Sequence, residues 1–186
     1  MNPGGDAWTI RRMRAFDAAA IEGLTDLLID CVEGGASVGF MLPISRATAT
    51  NFWKRVGADL DANKRAVLVA EDDRGVCGTV QLILDLPENQ PHRADLVKML
   101  VHRRMRRHGL GAALMKQAET EAVACGRSLL VLDAVTGGDA ARLYSRLGWV
   151  RVGDIPGFAL FPDGRVCGTT YFYKSLAPPA EPKRPR

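Results

Sequence analysis

The sequence predicts an α/β protein in which a mixed β-sheet carries helices on both faces. Apolar residues recur at helical spacing in four segments, and short β-rich runs separate these segments. The early β-rich runs follow one another closely, as antiparallel strands do. The runs at 95–101 and 129–133 are instead joined by a helical segment, as in a βαβ crossover. The predicted order is β-α-α-β-β-β-α-β-α-β-β.

The first half of the chain supplies the antiparallel part of this sheet. Its expected strands cover residues 8–13, 66–71 and 76–86. Its expected helices cover residues 15–32 and 45–63. The glycine pair Gly34-Gly35 should end the first helix, and Ser45 is a suitable N-cap for the second. The turn Asp72-Asp-Arg-Gly75 predicts a hairpin between the second and third strands.

The second half supplies the crossover and the end of the sheet. Its expected strands cover residues 95–101, 129–133, 150–152 and 169–176. Its expected helices cover residues 110–125 and 139–147. The run 129–133 begins with four consecutive apolar residues, which is typical of a strand covered on both faces.

Length and composition indicate one domain over residues 1–176 of the 186-residue chain. The tail 177–186 holds four prolines and three basic residues, which predicts disorder. No apolar run is long enough to span a bilayer and no secretory signal is evident, so we expect a cytoplasmic protein without a membrane partner. The oligomeric state stays open, a homodimer included.

The cysteines and the net charge exclude other classes. Four widely separated cysteines form no Cys-x-x-Cys pair, which favours reduced, packed thiols and no metal site. The net charge of +4 is too small to predict a nucleic-acid partner, although arginines cluster at 103, 104, 106 and 107. That alternative predicts binding that weakens steeply with salt.

This arginine cluster opens the crossover helix. Gly109 and Gly111 let a ligand approach the helix start, where free N–H groups and nearby arginines favour an anion such as a pyrophosphate. Tight strand–helix packing is the alternative explanation for the two glycines. The third glycine of a dinucleotide-binding motif and the Gly-Lys-Ser/Thr of a P-loop are both missing.

Two motifs resemble a known family. The run Arg106-Arg-His-Gly-Leu-Gly111 resembles the Arg/Gln-x-x-Gly-x-Gly/Ala motif of the GNAT superfamily of acetyl-CoA-dependent N-acetyltransferases. The later run Ala140-Ala-Arg-Leu-Tyr-Ser-Arg-Leu-Gly-Trp149 resembles the Leu-Tyr-x-x-Leu-Gly-Phe signature of that family. The element order also matches the GNAT fold, whose splayed central βαβ unit holds CoA. Segments 34–41, 92–95, 155–158 and 162–165 resemble the tabtoxin-resistance acetyltransferase subgroup, which acetylates a β-lactam amino acid.

The resemblance implies acetyl-CoA as cosubstrate, without a metal, and a small amino-acid-like or antibiotic amine as acceptor. It implies that the backbone of residues 99–101 pairs with the pantetheine arm and that Tyr144 protonates the leaving thiolate. The expected cofactor-binding residues are Met99, Leu100, Val101, Arg106, Arg107, His108, Gly109, Leu110, Gly111 and Ala112. The loop residues Gly35 and Ser37, with Asp133, are expected to bind the acceptor.

Two aspartates are candidates for the base that an amine nucleophile needs. Asp133 ends a buried strand, where open α/β sheets form ligand crevices. Asp95 begins the preceding strand and shares a face with Met99 and Val101 by the two-residue period. We expect Asp133 to contact the amine and Asp95 to relay the proton. Asp133 as a turn cap, and Asp95 as an ion-pair partner of Arg93 or Lys98, remain alternatives.

Two departures from the family pattern affect the cofactor site. Arg107 stands where many relatives carry glycine, and Gly137 stands where an asparagine often holds the cofactor. The turn Thr136-Gly-Gly138 could supply a backbone group instead. Alternative functions are acetylation of a protein N-terminus or lysine, and acyl-CoA sensing without catalysis.

Overall fold

The computed structural model describes residues 8–176, which form a seven-stranded mixed sheet with helices on both faces. The strands are β1 (Thr9–Arg12), β2 (Arg65–Asp72), β3 (Gly75–Ile83), β4 (Arg93–Val101), β5 (Leu129–Val135), β6 (Val150–Leu160) and β7 (Val166–Ser175). The helices are α1 (Ala18–Glu33), α2 (Arg46–Asp61), α3 (Leu110–Ala124) and α4 (Asp139–Arg146), and a 3-10 turn covers Arg103–Met105. The predicted fold class and element order are confirmed. The tail 177–186 lies outside the described residues.

The starts of α1 and α2 follow capping side chains. Ser45 caps α2 as predicted, accepting a hydrogen bond from the Thr48 N–H at 3.1 Å. Helix α1 begins three residues later than predicted, because Asp17 caps it by accepting from the Ala20 N–H at 2.7 Å. Among residues 8–176, no helix is both long and apolar enough to cross a membrane.

The sheet separates two apolar clusters. Alternation along β2 sends Ala66, Leu68 and Ala70 towards α3 and α4, and Val67 and Val69 towards α1 and α2. We refer to these sides as the α3/α4 face and the α1/α2 face. Burial on both faces explains why the central strands read as apolar runs.

The centre of the sheet opens between β4 and β5. These two strands run parallel and pair over three positions only, from Arg93 opposite Leu129 to Asp95 opposite Val131. Beyond Asp95, strand β5 continues with β7 as its partner, and β4 continues with β3. The sheet therefore contains a gap beside the second half of β4.

A β-bulge accompanies this gap. Val97 lies opposite Gln81 and Leu100 lies opposite Thr79, so β4 carries one more residue than β3 between these pairs. Lys98, within the bulge, has a φ of 51°, in the left-handed region. The bulge shifts the alternation, because Leu96 and Met99 both contact the α3/α4 cluster while Leu100 joins the α1/α2 cluster.

Strand β6 is longer than predicted. It extends to Leu160 and pairs with β7 at the edge of the sheet, with register shifts after Arg151 and Ile155. Gly153, Pro156 and Gly157 interrupt its sequence pattern, and such residues are tolerated at a sheet edge. Several large apolar side chains of this hairpin are exposed, including those of Val150, Val152, Ile155, Phe158, Leu160 and Val166.

Candidate active site

The N-terminus of α3 is an uncapped, positive helix end. Gly109 precedes the helix with a φ of 84° and offers no side-chain cap. The Ala113 N–H donates to the Gly109 carbonyl at 3.1 Å, so the three preceding N–H groups lie ahead of the first intrahelical bond. These are the N–H groups of Leu110, Gly111 and Ala112. Such a helix end favours an anion.

Two of the four clustered arginines bind carboxylates of other elements. Arg103 donates from Nε to Asp30 Oδ1 at 2.8 Å, and Arg104 forms an ion pair with Asp72. The expectation that all four arginines face an anion is therefore corrected, because these two tie the turn to α1 and β2. Arg106 approaches the Val101 carbonyl with Nε at 3.5 Å.

Arg107 adopts a backbone conformation that favours glycine. Its φ is 67°, which costs an L-residue about 1–2 kcal/mol. This explains why glycine suits the position in the family motif. The pKa of Asp139 at the start of α4 is lowered, first by its hydrogen bond with Arg142 and then by the charges of Arg107 and Arg106. The two arginines therefore extend their charge towards the start of α4.

Gly111 has a packing role as well as its place at the helix start. A β-carbon on Gly111 would lie 3.3 Å from Leu143 Cδ2 and 3.9 Å from Met99 Sδ. The packing explanation of this glycine is therefore confirmed, since Gly111 brings α3, α4 and β4 into close contact. At the departure position Gly137, the carbonyl accepts from Arg142 Nη1 at 2.5 Å.

Residues 99–101 lie along the gap. Leu100 and Val101 pair with Thr79 and Gly78 of β3, whereas the β4–β5 ladder ends at Asp95. On its β5 side, this stretch has no strand partner within residues 8–176. An extended ligand could therefore pair with β4 as an added strand.

Tyr144 lies on the α3/α4 face. Its side chain is buried, and its ring packs against those of Trp149 and Phe172 at centroid distances of 6.0 and 5.9 Å. Burial raises the pKa of the Tyr144 hydroxyl, and the negative charge of Asp133 raises it further. The hydroxyl therefore remains protonated near neutral pH.

Asp133 and Asp95 share the α1/α2 face. Asp95 on β4 lies opposite Val131 on β5. Asp133 follows two residues after Val131 on β5, so it lies on the same face of the sheet as Asp95. Asp133 is exposed and accepts from Thr169 Oγ1 at 2.7 Å. This bond joins β5 to β7. It differs from the alternative explanation of Asp133, which was a cap for the turn after β5.

The predicted face of Asp95 is wrong. Leu96 and Met99 both contact the α3/α4 cluster, because the bulge at Lys98 breaks the two-residue period. Asp95 therefore lies on the opposite face from Met99 and Val101. It forms the ion pair with Arg93 that was the alternative explanation of this residue.

The loop after α1 is attached to the β6–β7 hairpin. Ser37 Oγ donates to the Leu160 carbonyl at 2.8 Å, and Cys167 Sγ lies 3.7 Å from the same oxygen of Ser37. Gly35 has a φ of 83° and open space where a β-carbon would lie. The Ser37 hydroxyl therefore positions the loop. Residues 8–176 contain no group of three or more His, Cys, Asp or Glu side chains arranged for a metal ion.

Two residues of the site were not predicted. Thr169 contacts Asp133 only through the β5–β7 pairing, for which the sequence carries no signal. Lys98 interrupts an apolar strand and lies on the α1/α2 face beside Phe52, with Nζ 5.8 Å from the ring centroid. A lysine inside an otherwise apolar strand is a signal in the sequence that could have marked Lys98 as a candidate site residue.

Comparisons with known proteins agree with this architecture. Residues 63–151 match a family model described as an acetyltransferase (GNAT) domain. The fold is similar to that of YncA from Salmonella typhimurium, solved with its cofactor acetyl-CoA, with 22% identity and a TM-score of 0.74 over 95% of this chain and 98% of that chain. It is also similar to the ribosomal-protein-alanine N-acetyltransferase of Brucella melitensis, with 21% identity and a TM-score of 0.75 over 90% and 99% of the two chains.

A third similar structure belongs to a protein assigned as a phosphinothricin N-acetyltransferase. It is 17% identical, with a TM-score of 0.75 over 92% of this chain and 99% of that chain. At these identities the structural likeness shows the fold, and the family model adds the acetyltransferase domain. Residues 63–151 therefore match a GNAT acetyltransferase domain, and the described residues 8–176 have the fold of the GNAT acetyltransferases.

Proposed function

We propose that this enzyme transfers an acetyl group from acetyl-CoA to the primary amine of a small amino-acid-like or antibiotic acceptor. One observation carries the proposal. The gap between β4 and β5 connects the uncapped end of α3 and Tyr144, on one face, with Asp133 on the other face. A cosubstrate and an acceptor can therefore meet from opposite sides of the sheet.

The residues on the α3/α4 face fit the CoA portion of acetyl-CoA. The N–H groups that begin α3, together with Arg106 and Arg107, offer donors and positive charge to a pyrophosphate. The unpaired side of residues 99–101 offers backbone groups to an amide-bearing arm. Acetyl-CoA supplies the activated acetyl thioester.

Tyr144 and Asp133 would move protons at the two ends of the reaction. Tyr144 holds its proton because burial raises the pKa of its hydroxyl, and this proton would pass to the leaving thiolate. Asp133, held by Thr169, would take the proton that the attacking ammonium group must lose. Asp95 adds negative charge on the same face and would relay that proton through water.

The cysteines favour direct attack by the amine over an acetyl-cysteine intermediate. Burial raises the pKa of Cys31 and of Cys77 to about 11, and it also raises the pKa of Cys125. Thiols that remain protonated at neutral pH are poor nucleophiles. Acetyl transferred to a cysteine during turnover would contradict this mechanism.

A CoA-release screen tests the proposal. The panel comprises amino acids, β-lactam amino acids of the tabtoxin type, aminoglycosides, polyamines and peptides with free N-termini or lysines. Release of CoA with a small amine, and none with the peptides, is the expected result. Transfer confined to peptides would favour the protein-acetylating alternative, and tight acetyl-CoA binding without any transfer would favour a sensor.

A further inference from the structure

The α1/α2 face of the gap carries positive charge that the described part of the protein does not pair. Lys98 is half-buried, and within residues 8–176 its ammonium group makes no ion pair or hydrogen bond. Lys98 Nζ lies beside the Phe52 ring and beside the loop between α1 and α2. In that loop, a β-carbon on Gly39 would lie 3.8 Å from Nζ. A half-buried lysine without an anionic partner requires an explanation.

Two buried hydrogen-bond donors on β2 and β3 also lack a partner among residues 8–176. Gln81, opposite Val97 next to the bulge, is fully buried, and its Nε2 has no hydrogen-bond partner in the described part of the chain. The Gln81 carbonyl oxygen already accepts from Arg65 Nη1 at 2.7 Å, and Arg65 also bonds Asp59 at 2.9 Å. Arg65 Nε is also buried, and no residue from 8 to 176 accepts a hydrogen bond from it. This part of the face would therefore gain most from an acceptor with negative charge.

The charges around Lys98 also favour a negatively charged ligand. Burial lowers the pKa of its ammonium group, and the charge of Arg65 lowers it further, while Asp133 opposes the change. Asp133 is thus the negative group whose charge acts on Lys98. It lies on the α1/α2 face, where the acceptor amine is proposed to bind. A cation and an anion on one face can hold the two ends of a zwitterion.

We propose that Lys98 binds the carboxylate of the acceptor, so that the substrates are zwitterionic α-amino acids or close analogues whose amine lies at Asp133. This inference rests on the proposed function and narrows its substrate class. Lys98 would contribute to acceptor affinity and specificity. The bulge directs it to this face, because an unbroken strand would place it on the other face together with Leu96.

The test compares matched acceptors on the wild-type enzyme. Each standard α-amino acid is paired with its own carboxamide, which keeps the amine but lacks the negative charge. We expect kcat/KM for the best acid to exceed that for its amide by about 10- to 100-fold, the range of one charge-assisted hydrogen bond. Equal rates for acids and amides would overturn the inference. No turnover of any amine would instead contradict the proposed function, and the inference with it.

Variants then assign the preference to Lys98. Lys98→Met should raise KM for the acid about 10- to 100-fold, leave KM for acetyl-CoA unchanged and leave the amide rate unchanged. Lys98→Arg should recover part of the acid preference. Lys54→Gln, on the exposed surface of α2, is the matched control and should behave as wild type. An acid preference that survives in Lys98→Met would refute the role of this lysine.

Discussion

Thr169 on β7 donates a 2.7 Å hydrogen bond from Oγ1 to Asp133 Oδ2 on β5. The threonine is almost fully buried, whereas the aspartate is exposed. A buried hydroxyl therefore fixes the orientation of a carboxylate that solvent can reach.

Asp133→Asn should lower kcat/KM by about 10²- to 10⁴-fold, the usual contribution of a general base. The amide cannot take a proton from the attacking amine. Thr169→Val should cause a smaller loss of about 10-fold by removing the hydrogen bond that orients the base. Steady-state rates between pH 6 and 9 measure both effects. Wild-type rates in Asp133→Asn would show that the base lies elsewhere.

Tyr144→Phe should lower kcat by about 10²-fold with acetyl-CoA, because the thiolate would leave without its proton donor. The dissociation constant for acetyl-CoA should stay within about twofold, since the buried ring keeps its packing. The raised pKa of Tyr144 means that its ionisation should not produce an alkaline limb below pH 10. Tyr173→Phe, at a ring that is 37% exposed, is the control. An unchanged rate in Tyr144→Phe would refute the proton-donor role.

Arg107→Gly should stabilise the protein while weakening the cofactor site. Relief of the left-handed strain, offset by the greater freedom of glycine in the unfolded chain, should raise Tm by about 1–3 °C. Loss of the guanidinium group should raise KM for acetyl-CoA about 10-fold. Asn63→Gly, at a φ of 55° outside the site, should leave that KM unchanged. A KM in Arg107→Gly equal to that of the wild type would remove Arg107 from the pyrophosphate site.

Arg104→Gln should have the opposite profile, with lower stability and an unchanged KM for acetyl-CoA. Its partner Asp72 is nearly buried, so the lost charged hydrogen bonds should cost about 1.5–3 kcal/mol at pH 7. Arg104 holds the pKa of Asp72 below its usual value. The contribution is therefore present above the unfolded-state pKa of about 3.9 and is lost as pH falls through the lower folded-state pKa.

Urea unfolding of wild type and Arg104→Gln at pH 7 and at acid pH measures this difference. The two proteins should approach each other in free energy of unfolding as the pH falls below about 4. A difference that does not depend on pH would mean that packing of the arginine side chain, and not its charge, stabilises the turn.

The element order was predictable because the helices carry an apolar period and several of the turns contain glycine or a capping side chain. The start of α3 is an example, since Gly109 and Gly111 mark both the helix boundary and the proposed anion site. The tight packing of Gly111 against Leu143 was predictable only as an alternative, because the contact joins elements far apart in sequence.

The face of Asp95 was not predictable, because a one-residue bulge reverses every later position on the strand. Nothing in the run Leu96-Val-Lys-Met-Leu-Val101 requires a bulge, and Lys98 adopts a φ that lysine rarely takes. Salt bridges such as Arg104 with Asp72 were also hidden, since they depend on tertiary contact.

The attachment of the α1–α2 loop to the β6–β7 hairpin has a consequence for engineering. The Leu42 N–H donates to the Pro162 carbonyl at 3.0 Å, and Ser37 is bonded to Leu160. Both partners of each bond lie outside residues 63–151, the part that matches the acetyltransferase family model. A graft of new acceptor specificity should therefore transplant the two loops as a pair, because replacing one alone leaves the other without its anchors.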